Sequence, residues 1–255
     1  MITIDTNDEH LYCIGDIHYK INSLVKILKK LKRNSTVVCV GDIGLGFPRN
    51  ITGCCEDDGD ILSEINHIGY MKDLNIILLR GNHDNPDVWD RDNKPKHDNL
   101  IFIKDVEHLK FRDKNIMLIG GAVSVDRELR IIGRDYWLNE CVSPTAKEQV
   151  AFKLFNNDDC LNCEFDYMIS HTAGTSAPPA TLGSGIVERF AQHDPSLIAN
   201  LLDERELVEE CFRMTKAKRN IYGHFHHSID EEVEGIRYTC LNELELLELS
   251  KEFTD

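Results

Sequence analysis

The sequence predicts an α/β fold, with a parallel sheet in its first half and helices that cover it. Three short apolar or β-branched runs alternate with two stretches whose apolar residues recur at helical spacing. Each run is followed, directly or after one residue, by glycine and then aspartate or asparagine. In such a β-α-β-α-β order the strands lie parallel, and their carboxyl ends meet at one edge of the sheet. That edge is therefore where we expect reactive groups.

The predicted elements of the first half are short and closely spaced. Strands are predicted at 10–14, 36–40 and 75–79, and helices at about 21–31 and 61–71. In the first helical stretch Leu24, Ile27 and Leu28 fall on one face, with lysines between the apolar positions.

The second half is more mixed. Strands are predicted at 100–103, 115–119, 165–169, 220–222 and 237–240, with a closing strand at 244–249, and helices at about 144–155 and 195–216. Residues 172–182 are rich in Thr, Ala, Gly, Ser and Pro, which predicts a loop that is either a lid or a fixed connection. Since no repeat or linker interrupts the chain, we expect a single domain over 1–255.

Composition narrows the class of protein. The chain has 29 Lys and Arg against 44 Asp and Glu, a formal charge of −15, so no extended binding of nucleic acid is expected. No apolar run approaches the roughly 18 residues of a membrane span. The first residues show neither the basic nor the apolar part of an export signal. Together with nine cysteines, this predicts a cytoplasmic protein with reduced thiols.

Five separated segments place metal-ligand side chains directly after strand-like runs. These side chains are Asp16 and His18, Asp42, Asn82, His171, and His224 and His226. Residues two apart in an extended strand end point the same way, so Asp16 and His18 are predicted to bind one ion together, and His224 and His226 share the same spacing. The two oxygens of a carboxylate suit Asp42 to bridge two ions. Imidazole suits Zn, Fe and Mn, whereas carboxylate and amide oxygens favour harder ions.

A single Asp-x-His or His-x-His pair is common in ordinary surfaces and cores. Here five of the eleven histidines fall in these segments, because His83 directly follows Asn82. In this order the five segments resemble the signature of the calcineurin-like metallophosphoesterases, over about residues 11–240. The resemblance implies a two-sheet β-sandwich flanked by helices, with a dinuclear metal site at the carboxyl ends of strands. It also implies a metal-dependent enzyme that hydrolyses phosphate esters.

The same resemblance implies how the ligands divide between the two divalent ions. Asp16, His18 and His226 would bind the first, Asn82, His171 and His224 the second, and Asp42 would bridge them. Mn is the preferred identity, and Fe, Zn or Co also fits the donor set. Two ions about 3.5–4 Å apart can share a hydroxide and stabilise both the attacking and the leaving oxygen. The resulting positive site would attract a phosphate despite the acidic composition.

His83 and Asp84 complete the implied machinery. By resemblance, His83 is not a ligand but lies beside the scissile ester, where an imidazolium can protonate the departing oxygen. Asp84 is expected to accept from the other ring nitrogen and so to fix the tautomer.

The second motif departs from that of the phosphoprotein phosphatases. Those enzymes carry an arginine shortly after Gly-Asp, whereas this chain reads Gly41-Asp-Ile-Gly-Leu-Gly-Phe-Pro48, and Arg49 comes several residues late. The third motif is Gly-Asn-His-Asp rather than Gly-Asn-His-Glu. Phosphoprotein phosphatase activity is therefore an alternative that the sequence does not favour.

The segments 120–137 and 204–226 resemble a subgroup of small bacterial and phage metallophosphoesterases. Three arginines are candidates to hold a phosphate bidentately, and three aromatic residues to stack on a base. They are Arg127, Arg130 and Arg134, and Phe47, Tyr136 and Trp137.

These observations predict a small phosphorylated substrate, first of all a nucleoside monophosphate, because an acidic surface disfavours long polyanions. The alternative is a phosphodiesterase that acts on cyclic nucleotides or other diesters. A non-catalytic scaffold of the same fold is a further alternative, but the ligand positions and His83 are intact. The sequence leaves the oligomeric state open.

Overall fold

The structure, a computed structural model, describes residues 2–3, 8–48, 58–90, 98–155, 164–179 and 185–253. Its strands are β1 (Ile2–Thr3), β2 (His10–Ile14), β3 (Ser35–Cys39), β4 (Leu74–Leu79), β5 (Leu100–Ile103), β6 (Val106–Phe111), β7 (Lys114–Ile119), β8 (Tyr167–Ser170), β9 (Arg219–Tyr222), β10 (Ile229–Val233), β11 (Ile236–Cys240) and β12 (Leu246–Glu248). Its helices are α1 (Ile21–Lys30), α2 (Asp58–Lys72), α3 (Pro86–Asp90), α4 (Ala146–Phe155), α5 (Ile186–Ala191) and α6 (Leu197–Thr215). Short 3₁₀ turns lie at Arg127–Leu129 and Leu249–Glu252.

The strands form two sheets. One has the order β12-β2-β3-β4-β5 and is parallel except for its antiparallel edge strand β12. The other has the order β1-β6-β7-β8-β9-β11-β10, with a parallel centre from β7 through β8 and β9 to β11. Antiparallel hairpins join β6 to β7 and β10 to β11. Both sheets therefore present the carboxyl ends of parallel strands.

The two sheets pack face to face through alternate residues of their central strands. Val38 and Ile77 of the smaller sheet share one core with Leu118, Ile169 and Ile221 of the larger. The residues between them point the other way, so each sheet is apolar on both faces, as sheets covered on both sides are. The centre of the molecule is thus a β-sandwich.

Helices cover the outer faces of the sandwich. Leu24 and Leu28 of α1, with Ile65 of α2, pack on the smaller sheet. Val150 of α4 and Val208 of α6 pack on the larger one. The predicted fold class, a two-sheet β-sandwich flanked by helices, is confirmed by this architecture.

The strands and long helices of the sequence prediction are present, with shifts of up to three residues at their ends. The prediction missed β1, β6, β10, α3 and α5. The strand β10 reads Ile-Asp-Glu-Glu-Val and is mostly exposed, because it is the edge of its sheet and has little apolar surface to bury. The structure thus explains why periodicity did not reveal it.

None of the helices in the described part of the chain is long and apolar enough to cross a membrane.

Candidate metal and phosphate site

The predicted ligands come together where the carboxyl ends of the two sheets meet. Asp16, Asp42 and Asn82 follow β2, β3 and β4 of the smaller sheet. His171 follows β8 of the larger sheet directly, and the segment with His224 and His226 follows β9. Each sheet therefore supplies one side of the cluster, and neither could build it alone.

One group of donors gathers around Asp16, His18 and His226. The Nε2 atoms of His18 and His226 lie 2.8 Å apart, and Nε2 of His226 lies 3.1 Å from Oδ2 of Asp16. Oδ2 of Asp42 approaches Nε2 of His18 to 3.5 Å. The ligand atoms of Asp16, His18 and His226 all lie within 4.8 Å of one another, the arrangement of side chains that could hold a metal ion.

A second group gathers around the amide oxygen of Asn82. Oδ1 of Asn82 lies 3.1 Å from Nε2 of His171 and 3.0 Å from Nδ1 of His224. Oδ1 of Asp42 lies 3.3 Å from Nε2 of His171. The two carboxylate oxygens of Asp42 thus face different groups, as a bridging carboxylate requires.

The chemistry of these donors fits a pair of divalent ions. Imidazole nitrogens and carboxylate or amide oxygens converge at separations that ligands around a shared ion adopt, given ligand-to-metal distances of about 2.0–2.2 Å. Two facing imidazole nitrogens are satisfied either by a shared proton or by a common cation. The mixed N/O donor set suits Mn, Fe, Co and Zn and does not select among them.

The ring of His171 is oriented by the backbone. Its Nδ1 lies 2.7 Å from the carbonyl oxygen of Val40 and donates to it, so Nε2 is the nitrogen that faces Asn82 and Asp42 and that could bind a metal ion once it has lost its proton. Burial opposes protonation of this ring, but the Asp42 carboxylate outweighs it and raises the pKa of His171 to about 9. In the metal-free protein, a proton therefore neutralises part of the negative charge of the cluster.

The ligand pairs converge through left-handed turns rather than through extended strand ends. His18, Asp42, His224 and His226 have φ of 42°, 49°, 66° and 54°. For residues with a Cβ this backbone is sparsely populated and costs about 1–3 kcal/mol each. Asp16 and His18 do gather in one group as expected, but not through the alternation of an extended strand, since the chain has already turned at His18. The surrounding contacts must hold the strained turns.

Glycine is required where the backbone passes close to a ligand. A Cβ on Gly223 would overlap Oδ1 of Asp16, and a Cβ on Gly81 would overlap the Asp42 side chain. The glycines of the motifs therefore let the two sheets approach closely enough to share one cluster.

His83 lies at the mouth of the cluster. Its backbone N–H donates to Oδ1 of Asp42 at 2.8 Å, and its ring stacks on Phe47 with centroids 5.3 Å apart. Nη2 of Arg130 donates to its Nε2 at 3.0 Å. Burial, reinforced by Arg130 against the opposing Asp42 carboxylate, lowers the pKa of His83 to about 4. The imidazole is thus neutral near pH 7 in the metal-free protein.

Asp84 makes different contacts from those expected. Its carboxylate accepts backbone N–H groups of Gly44 at 2.6 Å, Gly81 at 2.8 Å, Leu45 at 3.1 Å and Ile43 at 3.3 Å. Within the described residues no hydrogen bond joins Asp84 to the ring of His83; the partner of that ring is Arg130. The expected role of Asp84 in fixing the tautomer is therefore corrected. Its carboxylate ties the loop after β3 to the loop after β4.

A cleft of about 380 Å³ opens beside His18 and His83. Its other lining residues are Tyr19, Phe47, Asp126, Arg130 and Asp135. We call residues 123–142, which carry three of these, the cleft wall. Sequence reasoning missed Tyr19, Asp126 and Asp135, and Tyr19 adjoins a predicted ligand, which is the signal that could have found it.

Two of the six predicted substrate contacts, Phe47 and Arg130, line this cleft. Phe47 is buried between His83 and Trp137, with Trp137 itself buried 5.5 Å from it, so neither ring offers a free face for a base. Trp137 supports Phe47 rather than lining the cleft.

The other three contacts lie elsewhere. Arg127 donates to Asp194 and Ser196, and with Tyr136 it lines two neighbouring cavities of about 330 and 410 Å³. Arg134 is half exposed and pairs with Asp135.

The loop after His171 is tied down along its described part, residues 172–179. Arg205 of α6 donates to the carbonyl oxygens of Gly174 at 2.6 Å and Ala177 at 2.7 Å. Glu209 of α6 accepts from the backbone N–H and the hydroxyl of Ser176 at 3.1 and 2.9 Å. These contacts favour a fixed connection over a lid; residues 180–182 lie outside the described residues.

Comparison with known protein families agrees with this geometry. The model of the calcineurin-like phosphoesterase family matches residues 10–228. The chain belongs to this family, whose members are metal-dependent phosphoric ester hydrolases and generally use two divalent metals. A search of curated proteins gave no match.

Solved structures share the fold at low sequence identity. A dimetal phosphatase from Danio rerio superposes with a TM-score of 0.54 at 12% identity, over 92% of this chain and 88% of that one. The protein TT1561 of Thermus thermophilus gives 0.53 at 10% identity, over 95% of each chain. At these identities the likeness supports the fold alone.

Proposed function

We propose that this chain hydrolyses a small phosphate ester at a dinuclear metal site. Asp16, His18 and His226 would hold the first ion, Asn82, His171 and His224 would hold the second, and the Asp42 carboxylate would contribute to both sites. The observation that carries the proposal is the position of the Asp42 carboxylate, with Oδ2 3.5 Å from Nε2 of His18 and Oδ1 3.3 Å from Nε2 of His171. When bound, two such ions supply an activated hydroxide and neutralise the charge on the phosphoryl oxygens.

The residues of the cleft would bind and orient the phosphate and protonate the leaving group. Arg130 lines the cleft beside His83 and offers a planar guanidinium that can hold a phosphate oxygen. His83 lines the same cleft and is the proposed proton donor to the leaving group. Because Arg130 donates to Nε2 of His83 and the ring is neutral in this structure, the guanidinium must turn towards the substrate and the ring must take up a proton before His83 can act as the donor.

Within this class we propose a nucleoside monophosphate as the substrate. A cleft of about 380 Å³ suits a small ligand rather than a polymer. The formal charge of −15 disfavours long polyanions, whereas the two divalent ions would make the cluster beside the cleft locally positive. Mn is the proposed ion, and a cytoplasmic location is the proposed setting.

The second candidate is a phosphodiesterase for cyclic nucleotides or other diesters. It is favoured by the two carboxylates that line the cleft beside Arg130, those of Asp126 and Asp135, which would repel the dianion of a monoester more than the single charge of a diester. A diester has one negative charge fewer, so it would depend less on Arg130 than a monoester does.

The test is product release from a panel after the protein is stripped of metal and reloaded with Mn²⁺. The panel contains nucleoside monophosphates, cyclic nucleotides, a phosphopeptide and aryl mono- and diesters. Preference for one nucleoside monophosphate, lost in Asp42→Asn, supports the first candidate. Turnover of diesters alone supports the second candidate, and preference for the phosphopeptide would support phosphoprotein phosphatase activity instead. Absence of turnover with Mn²⁺, Fe²⁺, Co²⁺ and Zn²⁺ would contradict the proposal.

A further inference from the structure

The orientation of the Asn82 amide decides whether this residue can bind a metal ion. Only its Oδ1 can bind a cation, yet an amide can rotate by 180° and present its NH₂ group instead. Here Oδ1 faces His171 and His224, and Nδ2 faces away from them. Some neighbour must hold the amide in that orientation.

Nδ2 of Asn82 donates to Oγ of Ser124 at 2.9 Å. Ser124 is 1% exposed and Asn82 is 3% exposed, so water does not compete freely with this hydrogen bond. Nη1 of Arg130 donates to the same Oγ at 3.1 Å. One hydroxyl oxygen therefore contacts both a proposed metal ligand and the proposed phosphate-binding arginine.

A serine hydroxyl has two lone pairs and one hydrogen. Asn82 and Arg130 are both donors, so they occupy the lone pairs and the hydrogen must go elsewhere. Glu140 is the acceptor beside it. Its Oε1 accepts the backbone N–H of Ser124 at 2.9 Å, and its Oε2 is buried with no hydrogen-bond partner among the described residues, so this carboxylate has an unused acceptor atom beside the hydroxyl. Glu140 is 2% exposed and is held in place from the main chain, where Arg80 donates to its carbonyl oxygen at 2.6 Å.

We propose that Ser124 and Glu140 are positioning residues that fix the orientation of the Asn82 amide and of the Arg130 guanidinium. Glu140 takes the only hydrogen of the Ser124 hydroxyl, so Ser124 can only accept from Asn82. The amide must then place Nδ2 on Ser124 and Oδ1 on the metal side. Because Arg130 uses the same oxygen, occupancy of the second metal site and the grip on the phosphate are coupled through Ser124. This inference rests on the proposed metal site and deepens it.

The first test measures Mn²⁺ binding by titration calorimetry, with metal-stripped protein at pH 8 and no substrate present. Ser124→Ala is expected to lower the affinity for one of the two Mn²⁺ ions about ten- to a hundredfold, as loss of a hydrogen-bond partner behind a metal ligand typically does. Ser124→Thr, which keeps the hydroxyl, is expected to restore most of this affinity. Ser143→Ala is the matched control, since Ser143 bonds Thr145 and lies away from the cluster.

Glu140→Gln tests the hydrogen-bond argument itself. The glutamine keeps the shape of the side chain but can donate to Ser124, which frees the hydroxyl to turn its hydrogen towards Asn82. We expect a loss of Mn²⁺ affinity at the same ion, although every metal ligand is untouched. Wild-type affinity at both ions in Ser124→Ala or in Glu140→Gln would overturn the proposal. Ser124→Ala removes little volume, so the variant is expected to fold. If it does not fold, Ser124→Cys replaces it in the titration, because a thiol is only a weak acceptor.

The coupling to Arg130 is tested by a double-mutant cycle on KM. Ser124→Ala and Arg130→Ala share an oxygen, so their effects on KM are expected to add to less than the sum of the single changes. Additive effects would remove the coupling. If the wild-type protein binds two Mn²⁺ ions but hydrolyses nothing in the panel, the proposed function fails while the Mn²⁺ titrations still decide this inference. If it binds no Mn²⁺, both fail.

Discussion

The metal cluster and the cleft wall are built in different ways. The cluster takes its side chains from the ends of five parallel strands in two sheets, and its ligands are held by the sandwich core. The cleft wall, residues 123–142, has only the short 3₁₀ turn Arg127–Leu129 as regular structure. It is held by contacts between side chains and main chain, such as Arg80 to the carbonyl oxygens of Glu140 and Cys141 and Glu204 to the N–H groups of Val123 and Val142.

This difference separates catalysis from specificity. A cluster fixed by sheet register tolerates little change, whereas a wall fixed by individual side chains can be altered with the cluster intact, except at Ser124 and Glu140, which lie behind Asn82. Substitutions in the cluster should therefore abolish turnover, and substitutions at other residues of the wall should change substrate affinity.

The largest effect is expected from Asp42→Asn. Loss of the bridging charge should weaken both ions and lower kcat at least about 10³-fold, because the ions supply several kcal/mol of transition-state stabilisation. The measurement is Mn²⁺ stoichiometry by elemental analysis, together with kcat. Asp230→Asn, at an exposed carboxylate on β10, is the control for the same chemical change. Two tightly held ions and normal turnover in Asp42→Asn would break the comparison.

His83→Asn should keep both ions and lose about 10²-fold or more in kcat for substrates with poor leaving groups, as loss of a general acid does. For p-nitrophenyl esters, whose leaving group needs no proton, the loss should be much smaller. His193→Asn, at an exposed histidine, is the control. An equal loss for both kinds of substrate would remove the proposed role in proton transfer.

Arg130→Ala should raise KM for monoesters about ten- to a hundredfold while Mn²⁺ stoichiometry stays at two. The magnitude follows from hydrogen bonds to a charged group, worth about 1.5–3 kcal/mol. Arg134→Ala is the matched comparison, because Arg134 is half exposed and pairs with Asp135 but does not itself line the cleft. Steady-state kinetics of both variants would show whether the wall acts through Arg130. A larger effect at Arg134 would contradict this assignment.

The smallest effect concerns stability and pH. Burial raises the pKa of Glu140 to about 7, against opposing hydrogen bonds from Ser124. The folded protein then binds a proton that the unfolded chain releases near its ordinary pKa of 4.5. The contribution of Glu140 to the free energy of unfolding is therefore largest below pH 4.5 and decreases as the pH rises to about 7.

Glu140→Gln should remove that decrease. Between pH 5 and 8 the metal-free wild type should lose about 2–3 kcal/mol more than the variant in urea unfolding. Parallel pH profiles for the two proteins would show that the carboxylate is not buried in solution as it is here.

The candidate site was predictable from the sequence to the extent that strand ends carry it. The runs before Asp16, Asp42, Asn82 and His171 are apolar and end in the motifs, so period and position identify them. The side chains that come together in the cluster were all named from such segments. Their roles stay predictions that the experiments above test.

The cleft wall was predicted less well, for a physical reason. Arg127, Arg130 and Arg134 are equivalent in the sequence, each among acidic and apolar neighbours. Which of them faces the cleft depends on partners distant in the chain, such as Asp194 for Arg127, and only Arg130 reaches His83. The aromatic residues differ in the same way, since Phe47 lines the cleft whereas Trp137 packs against Phe47 from behind.

The sequence by itself determined the family, the order of strands and helices in the smaller sheet, and the set of side chains able to bind two ions. It could do so because strand periodicity and the adjacent motifs are local properties. The tertiary structure decided the left-handed turns at His18, His224 and His226, the anchoring of Asp84 to backbone N–H groups, and the hydroxyl of Ser124 behind Asn82. These arise only when the ends of two sheets meet, because each depends on atoms that are far apart in the chain.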